Sequence, residues 1–165
     1  MTRHHRAISA CALIVAASAT FAADPAPNGI TLPEGYKDWR IIASSQRTDN
    51  NTMRVILGNP QAVQAARSGH TTPWPDGAVM AKLVWKTTTL DKWPAANVPG
   101  DFVQAEFMVK DSKKYADTGG WGFARWLGQD QKPYGKDASF AQECFGCHQP
   151  VKDRDYVFTQ PAALP

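Results

Sequence analysis

Cysteine and histidine are scarce in this chain. Its 165 residues contain three cysteines and four histidines. After residue 23 the sequence offers only Cys144, Cys147, His70 and His148. A closed zinc site needs four ligands, which usually come as two closely spaced pairs of cysteine or histidine. The sequence therefore provides no convincing set of zinc ligands.

The chain also lacks a strong excess of charge and, after the first residues, a long apolar run. Arg3 and Arg6 lie within residues 1–23, and without them the 18 lysines and arginines fall to 16, against 15 aspartates and glutamates. So small an excess implies no nucleic-acid partner and no membrane-surface partner. After residue 23 no stretch approaches the roughly 20 apolar residues that a membrane span needs. We therefore expect no membrane insertion.

Long amphipathic helical patterns are missing as well. Twelve prolines, twelve glycines and six tryptophans are spread along the sequence, which favours short elements joined by many turns. This distribution argues against a simple helical bundle. The composition, 43% hydrophobic and 20% charged, is that of one globular domain, which we assign to residues 24–165.

The first 23 residues have the layout of a secretory signal peptide. A basic segment from Arg3 to Arg6 precedes an apolar run over residues 7–19, and Thr20-Phe21-Ala22 offers small residues at the cleavage position. Cys11 belongs to this leader. We expect an exported protein, located in a bacterial periplasm.

A CxxCH motif lies near the C-terminus, at Cys144-Phe145-Gly146-Cys147-His148. Two thiols at this spacing can form thioethers with the two vinyl groups of one haem, and the adjacent histidine can then ligate the iron. A redox dithiol would want a thioredoxin-like βαβ context, and a zinc half-site would want a second ligand pair. The motif therefore predicts one c-type haem per chain, with His148 as the proximal ligand of the iron.

The local patterns predict an α+β fold of several strands and a few short helices. Residues 24–33 are rich in proline and glycine and predict a flexible lead-in, and residues 92–99 predict a loop. Asn59-Pro60 and Gly69 predict a helix over residues 60–68. The remaining predictions are a short helix over 36–44, strands over 53–57, 78–86, 101–110 and 121–127, and a short helix carrying the CxxCH, capped by Asp137 or Ser139.

Two charged side chains lie on predicted strand faces between apolar or amide neighbours. Alternation places Lys82 on one face with Met80 and Val84, and Glu106 on one face with Gln104 and Met108. An exposed edge lysine and a solvated strand face are the ordinary explanations of such residues. For Glu106 the alternative is a position in a pocket, where it would be a weak candidate for an acid or base.

The sixth coordination position of a haem iron separates electron carriers from proteins that bind ligands. Met53, Met80, Met108 and His70 are the available second ligands. Small electron-transfer cytochromes usually have the motif near the N-terminus and the methionine after it. Here no methionine follows Cys144. This order favours an open iron site over a simple electron carrier.

Three segments together carry a resemblance to a known family. They are Trp74-Pro-Asp-Gly before the lysine-bearing strand, DFVQAEFMVKDSKKYADTGGWGFARW over residues 101–126, and FAQECFGCHQPVKDRDYVFT over residues 140–159. In this order they resemble the cytochrome P-460 family. The resemblance implies a mostly antiparallel β fold, one c-type haem with a proximal histidine, and an apolar distal pocket.

The resemblance leaves two functions open. Some members of the family carry a covalent bond between a lysine and the haem and oxidise hydroxylamine to nitrogen oxides; the position here that matches this lysine best is Lys82, with Lys86 second. The cytochromes c′-beta lack that bond and bind nitric oxide or other small gases. We expect a hydroxylamine-oxidising enzyme with a periplasmic redox partner, and keep gas binding as the alternative. Such proteins commonly form homodimers.

Overall fold

The computed structural model describes residues 23–164, so the predicted signal peptide lies outside the described residues except for Ala23. Six strands form one sheet: β1 Arg40–Arg47, β2 Thr52–Gly58, β3 Val79–Leu90, β4 Trp93–Lys110, β5 Trp121–Leu127 and β6 Lys132–Pro133. Two α-helices are present, α1 Pro60–Ser68 and α2 Phe140–His148, with 3-10 turns at Tyr36–Asp38, Ala116–Thr118 and Gln149–Arg154.

Each strand pairs antiparallel with the next strand along the chain. The sheet is therefore a meander, and its connections are hairpins, α1, or the short segment between β4 and β5. This architecture confirms the predicted α+β class, with a mostly antiparallel sheet and a short helix that carries the CxxCH.

Helix α1 has the bounds that its capping residues predict. The side chain of Asn59 accepts a hydrogen bond from the backbone amide of Ala62 at 3.0 Å, Pro60 occupies the first turn, and Gly69 takes a left-handed conformation with φ of 75°. The helix buries Ala62 and Val63 against β1, β2 and β3. It covers one end of one face of the sheet.

Two element predictions are wrong, for identifiable reasons. The helix expected over residues 36–44 is a single 3-10 turn followed by β1, and a bulge between Ile41 and Ala43 breaks the alternation that would mark a strand. The loop expected over residues 92–99 is the first half of β4, which pairs with the end of β3. This hairpin lies mostly in solvent, so its sequence carries no half-buried strand pattern.

One face of the sheet packs against the N-terminal segment. Phe107 lies at its centre, with its ring 5.2 Å from that of Tyr36 and 5.5 Å from that of Trp126. The indole of Trp126 donates to the Asp24 carbonyl at 2.9 Å, and Ile30 is buried. The prediction of a flexible lead-in over residues 24–33 is therefore wrong, because the turns of this segment place its few apolar side chains on the sheet.

The opposite face carries α1 at one end and a large cavity over the rest. No helix within residues 23–164 has both the length and the apolar character that crossing a bilayer requires.

Candidate functional site

Helix α2 presents the CxxCH at the edge of the sheet. The helix follows a turn in which the Asp137 carboxylate accepts from the Ser139 amide at 2.9 Å, so Asp137 provides this contact and the Ser139 side chain makes no capping bond. Phe140 is buried and α2 packs against β5. The hydroxyl and amide of Ser139 lower the pKa of Asp137, which stabilises the carboxylate at neutral pH.

The two cysteines are one helical turn apart and both are free thiols. Cys144 is half-buried and Cys147 is exposed. Burial is the main reason that the pKa of the Cys144 thiol is raised, because the thiolate is less well solvated there than in water. Both cysteines border the cavity.

The cavity has a volume of about 890 Å³. Its wall comprises the cavity-facing residues of β1 to β5, the C-terminal half of α2, and the tail from Val157 to Gln160. The structure places every site residue predicted from sequence, Lys82, Glu106, Cys144, Cys147 and His148, on this one wall. A single space of this size can hold a large planar ligand in contact with all five.

His148 is held from three sides. Its Nδ1 lies 2.6 Å from the backbone carbonyl of Tyr156, and the rings of Phe123 and Phe158 both lie 5.2 Å from the imidazole. Because a carbonyl can only accept, Nδ1 is the donor and Nε2 is the free, unprotonated nitrogen. Burial lowers the pKa of His148, while the bond to Tyr156 acts in the opposite direction. The ring is therefore a neutral imidazole prepared to ligate through Nε2.

A row of four side chains crosses the cavity face of the sheet. The strand register sets Ile56 beside Lys82, Lys82 beside Glu106, and Glu106 beside Arg125. Directly opposite residues in neighbouring strands have their side chains on the same face and within contact distance. One carboxylate is thus flanked by two cations.

Lys82 and Glu106 form an ion pair, and their side chains are 31% and 20% exposed. Glu106 also accepts from the side-chain amide of Gln104, and its Oε1 lies 3.7 Å from Nε of Arg125. Strand β3 is an interior strand, so Lys82 is not an edge lysine, and Glu106 is not on a solvated face. The interpretation of Lys82 as an exposed edge lysine is therefore wrong, and so is that of Glu106 as a residue on a solvated strand face.

Two arginines face the cavity with unused hydrogen-bonding capacity. The Nε atoms of Arg54 and Arg125 are buried, and neither makes a hydrogen bond. Burial is the largest effect on Arg54 and lowers the pKa of its guanidinium, as expected for a cation without enough counter-charge. Sequence reasoning missed both residues, although Arg54 stands two positions before Ile56 on the same strand face.

The methionines divide between the faces. Met80, Met108 and Phe123 form a second cross-strand row on the cavity wall, so this part of the cavity is apolar. Met53 pairs with Trp85 and, by strand alternation, points to the other face. His70 is exposed and lies 3.0 Å from the Ser68 hydroxyl.

Glu143 lies next to Cys144 in sequence but outside the cavity wall. Its exposed carboxylate accepts from the Tyr134 hydroxyl at 3.2 Å. Of these two glutamates, Glu106 lines the cavity and Glu143 does not.

A family model described as Cytochrome P460 matches residues 33–159. This range contains all six strands and both helices. No curated protein matches the chain. Proteins of the matched family bind c-type haem, and the wall of the cavity fits such a group: it offers the Cys144 and Cys147 thiols, a free Nε2 on His148, and buried guanidinium atoms without partners.

Proposed function

The chain belongs to the cytochrome P460 family and is a c-type haem protein; from this premise we propose that it oxidises hydroxylamine to nitrogen oxides. In this proposal Cys144 and Cys147 carry the two thioethers and Nε2 of His148 ligates the iron. The bound haem supplies the one-electron redox centre and the position where a small ligand binds.

The arginines of the cavity support this placement. A haem carries two carboxylates, and buried guanidinium groups are suited to pair with carboxylates. Arg54 and Arg125 have such unpaired nitrogen atoms. Such pairing would give these buried Nε atoms the hydrogen-bond acceptor that they lack.

The observation that carries the proposal is the ion pair between Lys82 and Glu106 on the same cavity wall as the CxxCH. Oxidising hydroxylamine to a nitrogen oxide removes protons as well as electrons. A carboxylate inside the cavity can accept those protons. The Gln104 amide donates to the Glu106 carboxylate and Arg125 lies beside it, and these contacts orient Glu106 for this role.

Lys82 is the candidate for the covalent bond to the haem macrocycle. Its side chain lies on the cavity side of an interior strand, where it pairs with the Glu106 carboxylate. Lys86 also lines the cavity but is more exposed. The two lysines therefore form a matched pair for a test.

The experiment is digestion of the holoprotein followed by mass spectrometry of every haem-containing peptide. We expect the wild type to yield one haem joined to both the Cys144–His148 peptide and the peptide containing Lys82. Lys82→Arg should release the second peptide, and Lys86→Arg should not. A wild-type haem attached to the Cys144–His148 peptide alone would refute the cross-link and remove the main support for the enzyme.

That refuting result would favour the second candidate function, binding of nitric oxide or another small gas. The apolar row of Met80, Met108 and Phe123 supports it, because such a wall suits an uncharged diatomic ligand. Met80 and Met108 are also the methionines that a simple electron carrier could use. A ferrous absorption spectrum that shifts on adding carbon monoxide at room temperature would exclude the carrier by revealing an open site.

We propose that the protein acts in the periplasm after removal of residues 1–23. Electrons would leave through the haem, one at a time, to a periplasmic redox partner. Detection of the mature chain, beginning near Asp24, in the periplasmic fraction would test the location.

A further inference from the structure

The most buried ion pair of the described residues lies outside the cavity. Nζ of Lys110 is 2.8 Å from both carboxylate oxygens of Asp155, and the side chains are 5% and 10% exposed. The ammonium group also lies 4.9 Å from the ring centre of Trp121. Neither member of the pair lines the cavity, so the proposed chemistry does not use them.

Asp155 lies in the chain after α2 and is held there by bonds from three other segments. Besides Lys110 at the end of β4, the backbone amide of Trp74 donates to the Asp155 carboxylate at 2.8 Å. The indole of Trp121, at the start of β5, donates to the Asp155 carbonyl at 2.8 Å. A turn, two strands and the C-terminal segment therefore meet at Asp155.

The backbone held at this point is strained. Asp155 and Tyr156 both have left-handed conformations, with φ of 51° and 62°. Two consecutive residues with a side chain rarely adopt this region, and they persist there only when surrounding contacts enforce it. Gly119 allows the Tyr156 ring to pack close to the backbone at position 119, because a Cβ at that position would collide with the ring.

The strained backbone aims one carbonyl at the candidate iron ligand. The Tyr156 carbonyl is the acceptor for Nδ1 of His148, at 2.6 Å. A hydrogen bond from the second ring nitrogen of a ligating histidine orients the ring and makes it a stronger electron donor. The residue next to Asp155 thus makes the bond that sets the properties of His148.

We propose that the Lys110–Asp155 ion pair is a positioning device for the proximal histidine. It holds Asp155 and Tyr156 in their left-handed conformations and so keeps the Tyr156 carbonyl against Nδ1 of His148. The inference rests on ligation by His148, which belongs to the proposed function. It assigns no contact with the haem to Lys110 or Asp155.

Lys110→Met and Asp155→Asn test this device in the holoprotein. Without the anchor, the bond to Nδ1 weakens and the imidazole donates less to the iron. We expect the iron–histidine stretching band in the resonance Raman spectrum of the ferrous protein to move to lower frequency. We also expect the midpoint potential of the haem to rise.

Three further variants make the test specific. Val63→Ala creates a cavity under α1 without removing any of the hydrogen bonds to Asp155 or His148, and should lower stability without moving the band or the potential. Trp121→Phe keeps an aromatic side chain but removes the indole donor to the Asp155 carbonyl, and should give a smaller shift in the same directions if the larger changes prevent folding. Lys110→Arg retains a cation and should largely restore the wild-type values.

An unchanged band and an unchanged potential in Lys110→Met, Asp155→Asn and Trp121→Phe would overturn the inference and leave ligation by His148 standing. A wild-type ferrous protein that is five-coordinate and shows no iron–histidine band would instead overturn ligation by His148, and this inference with it. Equal shifts in Val63→Ala would also overturn it, because they would show a general effect of lower stability.

Discussion

The two faces of the sheet use the same strands for different purposes. On β4, Phe107 is packed between the rings of Tyr36 and Trp126, whereas its neighbour Glu106 faces the cavity in an ion pair with Lys82. Alternation along a strand separates these roles by a single residue. Side chains on one face stabilise the fold by close packing. On the other face the cavity leaves polar side chains accessible to a ligand, and those side chains are less closely packed.

The comparison shows where function can be changed without losing the fold. Core side chains on the packed face are held by many neighbours, so their loss is felt as stability. The cavity-side ion pair is partly exposed, and such pairs contribute little to stability. Substitutions on the two faces should therefore affect different measurements.

The largest effect should come from Glu106→Gln on the cavity face. Removing the proposed proton acceptor should lower hydroxylamine oxidation by about 10²- to 10⁴-fold, the usual contribution of a general base. Steady-state kinetics with an artificial electron acceptor would measure it. Glu143→Gln, which changes a carboxylate outside the cavity, should retain wild-type activity. Equal losses in both variants would contradict the difference between the two positions.

Phe107→Ala tests the packed face one residue further along the strand. Phe107 is 1% exposed, and deleting such a ring costs about 3–5 kcal/mol of stability. Denaturant unfolding of the holoprotein would measure the loss. Phe102→Ala, on the same strand but only half-buried, is the control and should lose less. If Phe102→Ala lost as much, burial on this face would not determine stability.

Asn59→Ala tests helix α1, which covers one end of the cavity face of the sheet. The Asn59 side chain bonds to the amides of Ala62 and Val79, both at 3.0 Å, and to the Gly77 carbonyl at 2.8 Å. Loss of an N-cap costs about 0.5–2 kcal/mol, and these added bonds favour the upper end. Ser68→Ala, at the other end of α1, should change the unfolding free energy by less than about 0.5 kcal/mol. A loss confined to Ser68→Ala would show that the cap is not what secures α1.

The smallest effect should arise at a turn that belongs to neither face. Bonds from the hydroxyl and amide of Ser112 lower the pKa of Asp76. A depressed pKa adds stability above the unfolded-state value near 4, and that stability is lost as the pH falls through the folded-state value. The difference in unfolding free energy between wild type and Asp76→Asn should therefore shrink from pH 7 to pH 3.

Ser112→Ala provides the control for this pH dependence. It removes the hydroxyl that is the largest cause of the low pKa of Asp76. In the Ser112→Ala background, Asp76→Asn should change the pH dependence of the unfolding free energy less than it does in the wild type. An Asp76→Asn difference that grew on acidification would contradict the assignment.

Five residues of the cavity wall could be predicted from sequence, from local spacing and strand alternation and, for Lys82, from the family resemblance. The CxxCH needs only its own five residues, and alternation was enough to assign Lys82 and Glu106 to faces of their strands. Their pairing was not predictable, because the β3–β4 hairpin contains three register irregularities. The number of residues between the two strands therefore does not reveal which side chains meet.

The missed features depend on contacts between distant parts of the chain. The Tyr156 carbonyl is a backbone atom and has no signal in the sequence. In the proposed positioning device its orientation depends on Lys110, 45 residues from Asp155. The buried Ile30 was missed for a similar reason: local composition indicates turns but does not show which surface a turn packs against. The family resemblance was confirmed by the family match, whereas the roles of Lys82 and Glu106 stay predictions.

The meander also has a consequence for the order of assembly. Since every strand pairs with its chain neighbour, β1 to β5 can form by successive local hairpins, which is a topology with a low entropic cost of closure. The cysteines and His148 come after all six strands in the chain. In a protein that folds in the order of its synthesis, the sheet side of the cavity therefore forms first. Helix α2, which carries the CxxCH, packs against the sheet last.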